Sequence, residues 1–142
     1  MTDDLLACVD GIVHEDTQTE GRGIDLTVAG IRRVESPGRI DFGGGELEPA
    51  GTRPVETEKR DAGDDYGWWI LDGGRYLLAY NETLDADGTV LLQPREALLE
   101  AGASHPTLRI VSLPPVPLAV PDAGLRLKEN ARVSTLLGTD GR

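Results

Sequence analysis

The chain has 142 residues, 39% hydrophobic and 27% charged, the profile of one folded domain (1–142) rather than a disordered chain. Fourteen basic against twenty-five acidic residues leave a net charge of −11, which argues against a basic stripe for nucleic acid. No apolar run is long enough to cross a bilayer, so no membrane partner is expected. One cysteine (Cys8) and two distant histidines (His14, His105) exclude an internal disulfide and a structural zinc domain.

Only Lys59 and Lys128 are lysines; the other twelve cations are arginines. An acid surplus with so little lysine matches a surface built for strong salt, where screening removes self-repulsion. The acidic start Met1-Thr2-Asp3-Asp4 argues against a secretory signal, so a cytoplasmic protein is expected.

In chain order, Thr2 can cap a first helix carrying Leu5, Leu6, Val9 and Ile12 on one stripe. Short runs bounded by Gly, Pro, Asp or Asn then read as strands: Ile24 to Val28, Ile31 to Val34, Trp68 to Leu71 and Tyr76 to Tyr80. Thr89 to Leu92, Leu108 to Val111, Val116 to Val120 and Arg132 to Leu137 complete the set. The imperfect alternation from Arg75 to Tyr80 predicts a strand buried on both faces. Residues 43–66, with three consecutive glycines, Pro49, Pro54 and the acids Glu56, Glu58, Asp61, Asp64 and Asp65, read as a mobile acidic loop within the domain. Pro94 sits where a second helix can begin, running through Arg95 to Ala101 and closed by Gly102. The pattern is that of an all-β sandwich or barrel with two short helices.

Four stretches carry a family resemblance. Gly23-Ile24-Asp25-Leu26-Thr27-Val28 resembles the G-[VI]-D-L-T-L strand of archaeal dUTPase and dCTP deaminase proteins. Trp69 to Thr83, with Gly74-Arg75-Tyr76-Leu77-Leu78-Ala79-Tyr80-Asn81-Glu82, is similar to their L-x-P-G-x-Y-x-V-x-Y-x-E strand. Pro94-Arg95-Glu96-Ala97-Leu98-Leu99-Glu100-Ala101-Gly102 resembles their P-R-S-S-L-x-R-x-G. Gly124 to Val133 resembles G-[IL]-x-L-x-x-x-A-R-[IV]. Order and spacing hold from about residue 20 to 137. The resemblance implies a distorted jelly roll, assembled as a homotrimer with deoxynucleoside triphosphate sites between subunits. It also implies either Mg²⁺-assisted release of pyrophosphate from dUTP or zinc-free deamination of dCTP.

The pattern breaks where the chemistry lies. Arg95 keeps the phosphate motif's first cation, but its serines are Glu96 and Ala97, and its second arginine is Glu100. A glutamate beside a phosphate is acceptor-only and negative. One such contact costs about 4 kcal/mol at about 4 Å and an effective dielectric of about 20. From Ser104 to Val120 there is no Asp or Glu, and Ala119 falls about where the deaminase glutamate would be. Thr135 replaces the family's glutamine in the last strand, and Gly138 to Arg142 is a polar tail without the aromatic arm of some dUTPases. Asp122, in Pro121-Asp122-Ala123-Gly124, reads as a turn residue.

Other constellations are weaker. Ser104 and His105 are neighbours on an extended chain and point apart. Asp61, Asp64 and Asp65 read as a solvated acidic loop, and Gly43-Gly44-Gly45 lacks the Lys of a phosphate loop. Trp68, Trp69 and Tyr76 read as core or interface aromatics, and Trp68, Trp69, Leu136 and Leu137 as surface for the trimer. No catalytic residue is assigned with force, and a degenerate family member with weak nucleotide binding is the leading reading. The alternatives are an active enzyme with relocated acids at Glu96 or Glu100, or an unrelated β interaction module.

Overall fold

The computed structural model describes residues 2–138. Helix α1 (Thr2–Leu6) leads to β1 (Val9–Asp10), helix α2 (Glu15–Gln18) and the long strand β2 (Ile24–Ser36). Strands β3 (Gly51–Pro54), β4 (Trp68–Leu71), β5 (Gly74–Tyr80), β6 (Thr83–Leu84) and β7 (Val90–Pro94) precede helix α3 (Glu96–Glu100). Strands β8 (Leu108–Ile110), β9 (Val116–Val120), β10 (Leu125–Lys128) and β11 (Arg132–Leu137) follow. The polar tail expected from Thr139 onward lies outside the described residues.

β2 organises the molecule. Its first half pairs antiparallel with β11, its middle with β5, and its end with β3. The main sheet runs β8-β7-β11-β2-β5-β9, with β3 beside β2, and two-stranded ribbons β1-β6 and β10-β4 complete the fold. All these pairings are antiparallel, and the sheet curls as an all-β jelly roll does. A bulge between Val28 and Gly30 lets β2 leave one partner and take up the next. The two runs expected at 24–28 and 31–34 are therefore one strand.

Side-chain alternation places the core. Ile24, Leu26 and Val28 are fully buried against Leu78, Leu92, Val116, Leu118 and Leu136. Each aliphatic side chain buried in this way contributes about 1.5–3 kcal/mol. The strand buried on both faces is the first half of β2, where Asp25 and Thr27 are also covered. It is not β5, which alternates: Tyr76 and Leu78 are buried, Leu77 is half-buried and Ala79 is exposed. At Gly23 a Cβ would run into the Leu136 carbonyl, so only glycine lets β2 start this close to β11.

Other sequence expectations need adjustment. α1 stops at Leu6, because Val9 and Asp10 leave to pair with Leu84 and Thr83; Val9 stays in the core, but from a strand. Pro94 is the last residue of β7 rather than the first of a helix. Arg95 is extended (φ −72°, ψ 151°) and caps α3 with its backbone only. Gly102 does close α3, at φ +97°, with its N–H on the Leu99 carbonyl. Segment 43–66 is not one loop, since β3 lies inside it and pairs with β2. Trp69 and Leu136 belong to this chain's own core, and so cannot supply surface to another subunit. Trp68 and Leu137 are half-buried, and Arg60 lies over the Trp68 ring at 4.4 Å.

Candidate functional site

The fold gathers charge around Asp25. In an unbroken strand Arg132 and Thr135 would point to opposite faces, because their separation is odd. The bulge between Arg132 and Ser134 adds a residue to β11, so Arg132 faces Thr27 and Thr135 faces Asp25 on the same side. Thr135 Oγ1 donates to Asp25 Oδ1 at 2.8 Å, and Arg132 Nη1 donates to Asp25 Oδ2 at 3.0 Å. Arg95 arrives from the end of β7, held by its N–H on the Val133 carbonyl, with Nε 3.3 Å from the same Oδ2. The Asp25 side chain is 9% exposed, and the two arginines are 27% exposed. One buried acid thus carries two half-buried guanidinium groups.

α2 closes the side of this group. Arg132 Nη1 also reaches the Thr17 carbonyl (3.2 Å) and Glu20 Oε2 (3.0 Å). The result is an open cleft of about 300 Å³ lined by Arg22, Asp25, Gln93, Arg95, Glu96 and Thr135 among others. Its charged lining is three arginines (Arg22, Arg95, Arg132) and three acids (Glu20, Asp25, Glu96). Formal charge in the cleft sums to zero.

Arg95 and Glu96, the first two residues of the expected phosphate motif after Pro94, both line this cleft. Ala97 and Glu100 are exposed on α3 and do not line the cleft. Ala119 pairs with Arg75 across the sheet and bridges to Ser104. Asp122 lies in a turn closed by the Gly124 N–H on the Pro121 carbonyl. Asp61 and Asp65 are exposed, and no group of three or more His, Cys, Asp or Glu among the described residues could hold a metal. Asp25 and Arg132, central to the cleft, were quoted within motifs but not singled out. The available signal was the Asp itself: a charged residue inside the apolar run Ile24 to Val28 needs a buried partner.

The Mg²⁺ implied by the resemblance fits these residues poorly. Mg²⁺ takes hard oxygen ligands at octahedral positions, usually one or two carboxylates plus phosphate oxygens. Both oxygens of Asp25 already accept from a hydroxyl or face guanidinium groups, and Glu20 pairs with Arg132. Glu96 remains, exposed and without an ion pair among the described residues.

A second polar group lies behind the cleft. His105 Nδ1 is 2.9 Å from the Pro106 carbonyl, which can only accept, so Nδ1 carries the proton. Nε2 of the neutral ring then accepts from Ser134 Oγ (2.7 Å), and Ser134 Oγ accepts from the Tyr80 hydroxyl (2.6 Å). Burial, opposed by the bond to Pro106, lowers the His105 pKa from its ordinary value. Burial also pushes the Tyr80 hydroxyl up to about 12, with Glu82 adding to the rise and the Ser134 bond opposing it. The pair Ser104-His105 forms no hydrolase triad: Ser104 is exposed on the neighbouring position, and Ser134 is fully buried.

Fold and site together define a curled antiparallel β protein with a cleft at a strand end lined by three arginines and three acids. The relatives give the family. No protein-family model matches the chain. It is 30% identical over 139 residues to a "probable deoxyuridine 5'-triphosphate nucleotidohydrolase" of Methanosarcina acetivorans, over 91% of this chain and 76% of that protein. The protein of the same name from Methanosarcina mazei is 29% identical over 144 residues, with the same coverage. That of Methanococcoides burtonii is 32% identical over 101 residues, 70% of this chain, and the match spans only 56% of that relative's length. The chain belongs to the deoxyuridine 5'-triphosphate nucleotidohydrolase (dUTPase) family.

Proposed function

We propose that this chain is a degenerate dUTPase-family protein of deoxynucleotide metabolism that binds a deoxynucleoside triphosphate weakly and turns it over at a background rate. The observation that carries this reading is the stretch from Ser104 to Val120. It runs through β8 and β9 without one carboxylate, and Ala119 occupies a sheet-paired position there. Weak binding follows from the cleft's charge: three acids offset its three arginines, so a polyanion meets no net positive field. Helix α3 supplies Glu96 and Ala97 where the family's serine hydroxyls would donate.

Two further parts of the reading come from the family and the composition. The protein works as a cytoplasmic homotrimer, and its acidic surface is adapted to strong salt. Trp69 and Leu136 being internal, the trimer must use exposed apolar groups such as Ile70, Leu99 or Val111. No helix among the described residues is long and apolar enough to cross a membrane.

The test is release of pyrophosphate and ammonia from dUTP and dCTP, with Mg²⁺ supplied, at molar KCl. Rates near background are expected, and rapid release of either product would overturn the reading. A second reading, an active enzyme with a relocated acid, rests on Glu96, which lines the cleft without an ion pair or hydrogen bond to the described residues. Glu96→Ser separates the two: it strengthens nucleotide binding under the first and abolishes turnover under the second.

A further inference from the structure

We infer that the Asp25 cleft grips a pyrophosphate group directly through guanidinium donors, with no divalent cation between protein and ligand. The inference rests on reading this cleft as a phosphate site, and concerns how the phosphate is held.

The argument is a count of what each side chain still has to offer. Arg132 spends one nitrogen, Nη1, on three acceptors: the Thr17 carbonyl, Glu20 and Asp25. Its Nε and Nη2 make no bond to the described residues. Arg95 uses Nε toward Asp25 and Nη1, at a long 3.4 Å, toward the Arg132 carbonyl, leaving Nη2. Arg22 is exposed, lines the same cleft and makes no ion pair or hydrogen bond to the described residues. Guanidinium groups with open forks recognise two phosphate oxygens at once. Carboxylates are the scarce group: among the described residues of the cleft, Asp25 is occupied, Glu20 is paired, and Glu96 makes no ion pair.

A divalent cation placed beside Asp25 would be a third positive centre on a carboxylate already facing two. It would have to displace Arg95 or Arg132, whose half-buried charges have no other carboxylate among the described residues apart from Glu20 on Arg132. An anion needs no displacement. It completes the arginines' unused donors while Asp25 holds the two guanidinium groups apart from each other's repulsion and in place. Asp25 is thus a positioning residue. A pyrophosphate group is favoured over a single phosphate because the donors come from three separate arginines on β7's end, β11 and the segment before β2.

Calorimetric titration with inorganic pyrophosphate, once in excess EDTA and once in excess Mg²⁺, tests this on the intact chain. Binding in EDTA is expected, unchanged or weakened by Mg²⁺, which competes for the ligand. Binding seen only with Mg²⁺, or in neither condition, overturns the inference. Arg22→Gln removes a cation that supports nothing else in the fold, and should weaken binding about five- to tenfold. Glu96→Gln should strengthen it. An unchanged affinity in Arg22→Gln, with the melting temperature preserved, also overturns it. Turnover is measured separately by product release, so metal-dependent pyrophosphate binding without turnover would defeat this inference and leave the proposed function standing.

Discussion

Two acids are buried on or against the same strand, and the molecule treats them differently. Asp25 faces two arginines and an open cleft. Glu82, 2% exposed, makes no ion pair among the described residues. Its Oε1 accepts from the Thr27 N–H (3.0 Å), and its Oε2 accepts from Thr27 Oγ1 (2.6 Å) and Gln18 Nε2 (2.8 Å). Each donor is itself saturated. Gln18 Oε1 accepts from the Val13 and His14 N–H groups, its Nε2 also reaches the Asp25 carbonyl, and Thr27 Oγ1 accepts from Asn81. A group with every donor and acceptor used has nothing left for a ligand. It ties α2, β2 and the end of β5 together and is architecture. The Asp25 group keeps unused donors at an opening, and that surplus separates a site from a strut.

The largest expected effect tests the strut. Glu82→Ala would strand the Thr27 N–H, the Thr27 hydroxyl and one Gln18 hydrogen in the interior. At about 1–3 kcal/mol for each buried unsatisfied group, softened by relaxation, the loss is about 3–5 kcal/mol of folding stability. Denaturant unfolding reads it directly. Asp25→Asn should cost less, about 2 kcal/mol, because its arginines keep solvent and Glu20 as partners. The ligand response separates the two: Asp25→Asn loosens the two arginines that Asp25 positions and should weaken pyrophosphate binding, whereas Glu82→Ala should leave the affinity of the folded protein unchanged. A loss below about 1 kcal/mol in Glu82→Ala would show that the network does not carry the fold.

The middle effect is pH dependence, set by the chain from Tyr80 through Ser134 to His105. His105 has a lowered pKa in the folded state, so the unfolded chain binds its proton more readily. The stability it contributes is complete above its ordinary value of 6.5 and is lost as pH falls through the lower folded value. Tyr80 acts at the other end. Its folded pKa of about 12 lies above the ordinary 10.0, so its contribution is complete below 10.0 and lost as pH rises toward 12. Melting temperatures across pH should fall on both sides. His105→Gln should flatten the acid side alone, and an unchanged acid limb in that variant would remove His105 as its cause.

The strands were legible because β-branched runs between turn residues are a local signal, and all eight expected runs lie wholly or largely within observed strands. β10 (Leu125–Lys128) was quoted as a motif but not read as a strand, since its two buried leucines alternate with charges over only four residues. β1, β3 and β6 are two to four residues long, and only a partner distant in sequence makes them strands. In the site, the Arg95 motif was visible in the sequence; the fold brings Arg95 and Glu96 to the cleft and leaves Ala97 outside it. The Asp25–Arg132 pairing was not visible. It spans 107 positions and depends on the bulge in β11 that turns Arg132 and Thr135 to one face. A bulge leaves no mark in hydrophobic periodicity.

The smallest effect extends the comparison to a third acid, at the far end of the same strand. Glu35 Oε2 is 2.9 Å from Arg53 Nη2, shorter than either arginine contact to Asp25, so distance alone would rank it strongest. Exposure reverses the order. The Glu35 and Arg53 side chains are 42% and 69% exposed, so water screens their attraction and both give up rotamer freedom to meet. A double-mutant cycle with Glu35→Gln and Arg53→Gln should return a coupling of about 0.2–0.5 kcal/mol at low salt, shrinking toward zero in molar KCl. The Asp25–Arg132 coupling, measured in the same way with Asp25→Asn and Arg132→Gln, should be several times larger and should change little over that salt range. If the two couplings fell together with salt, Asp25 would be as open to solvent as Glu35, and its two guanidinium groups would lose the fixed positions that binding a phosphate requires.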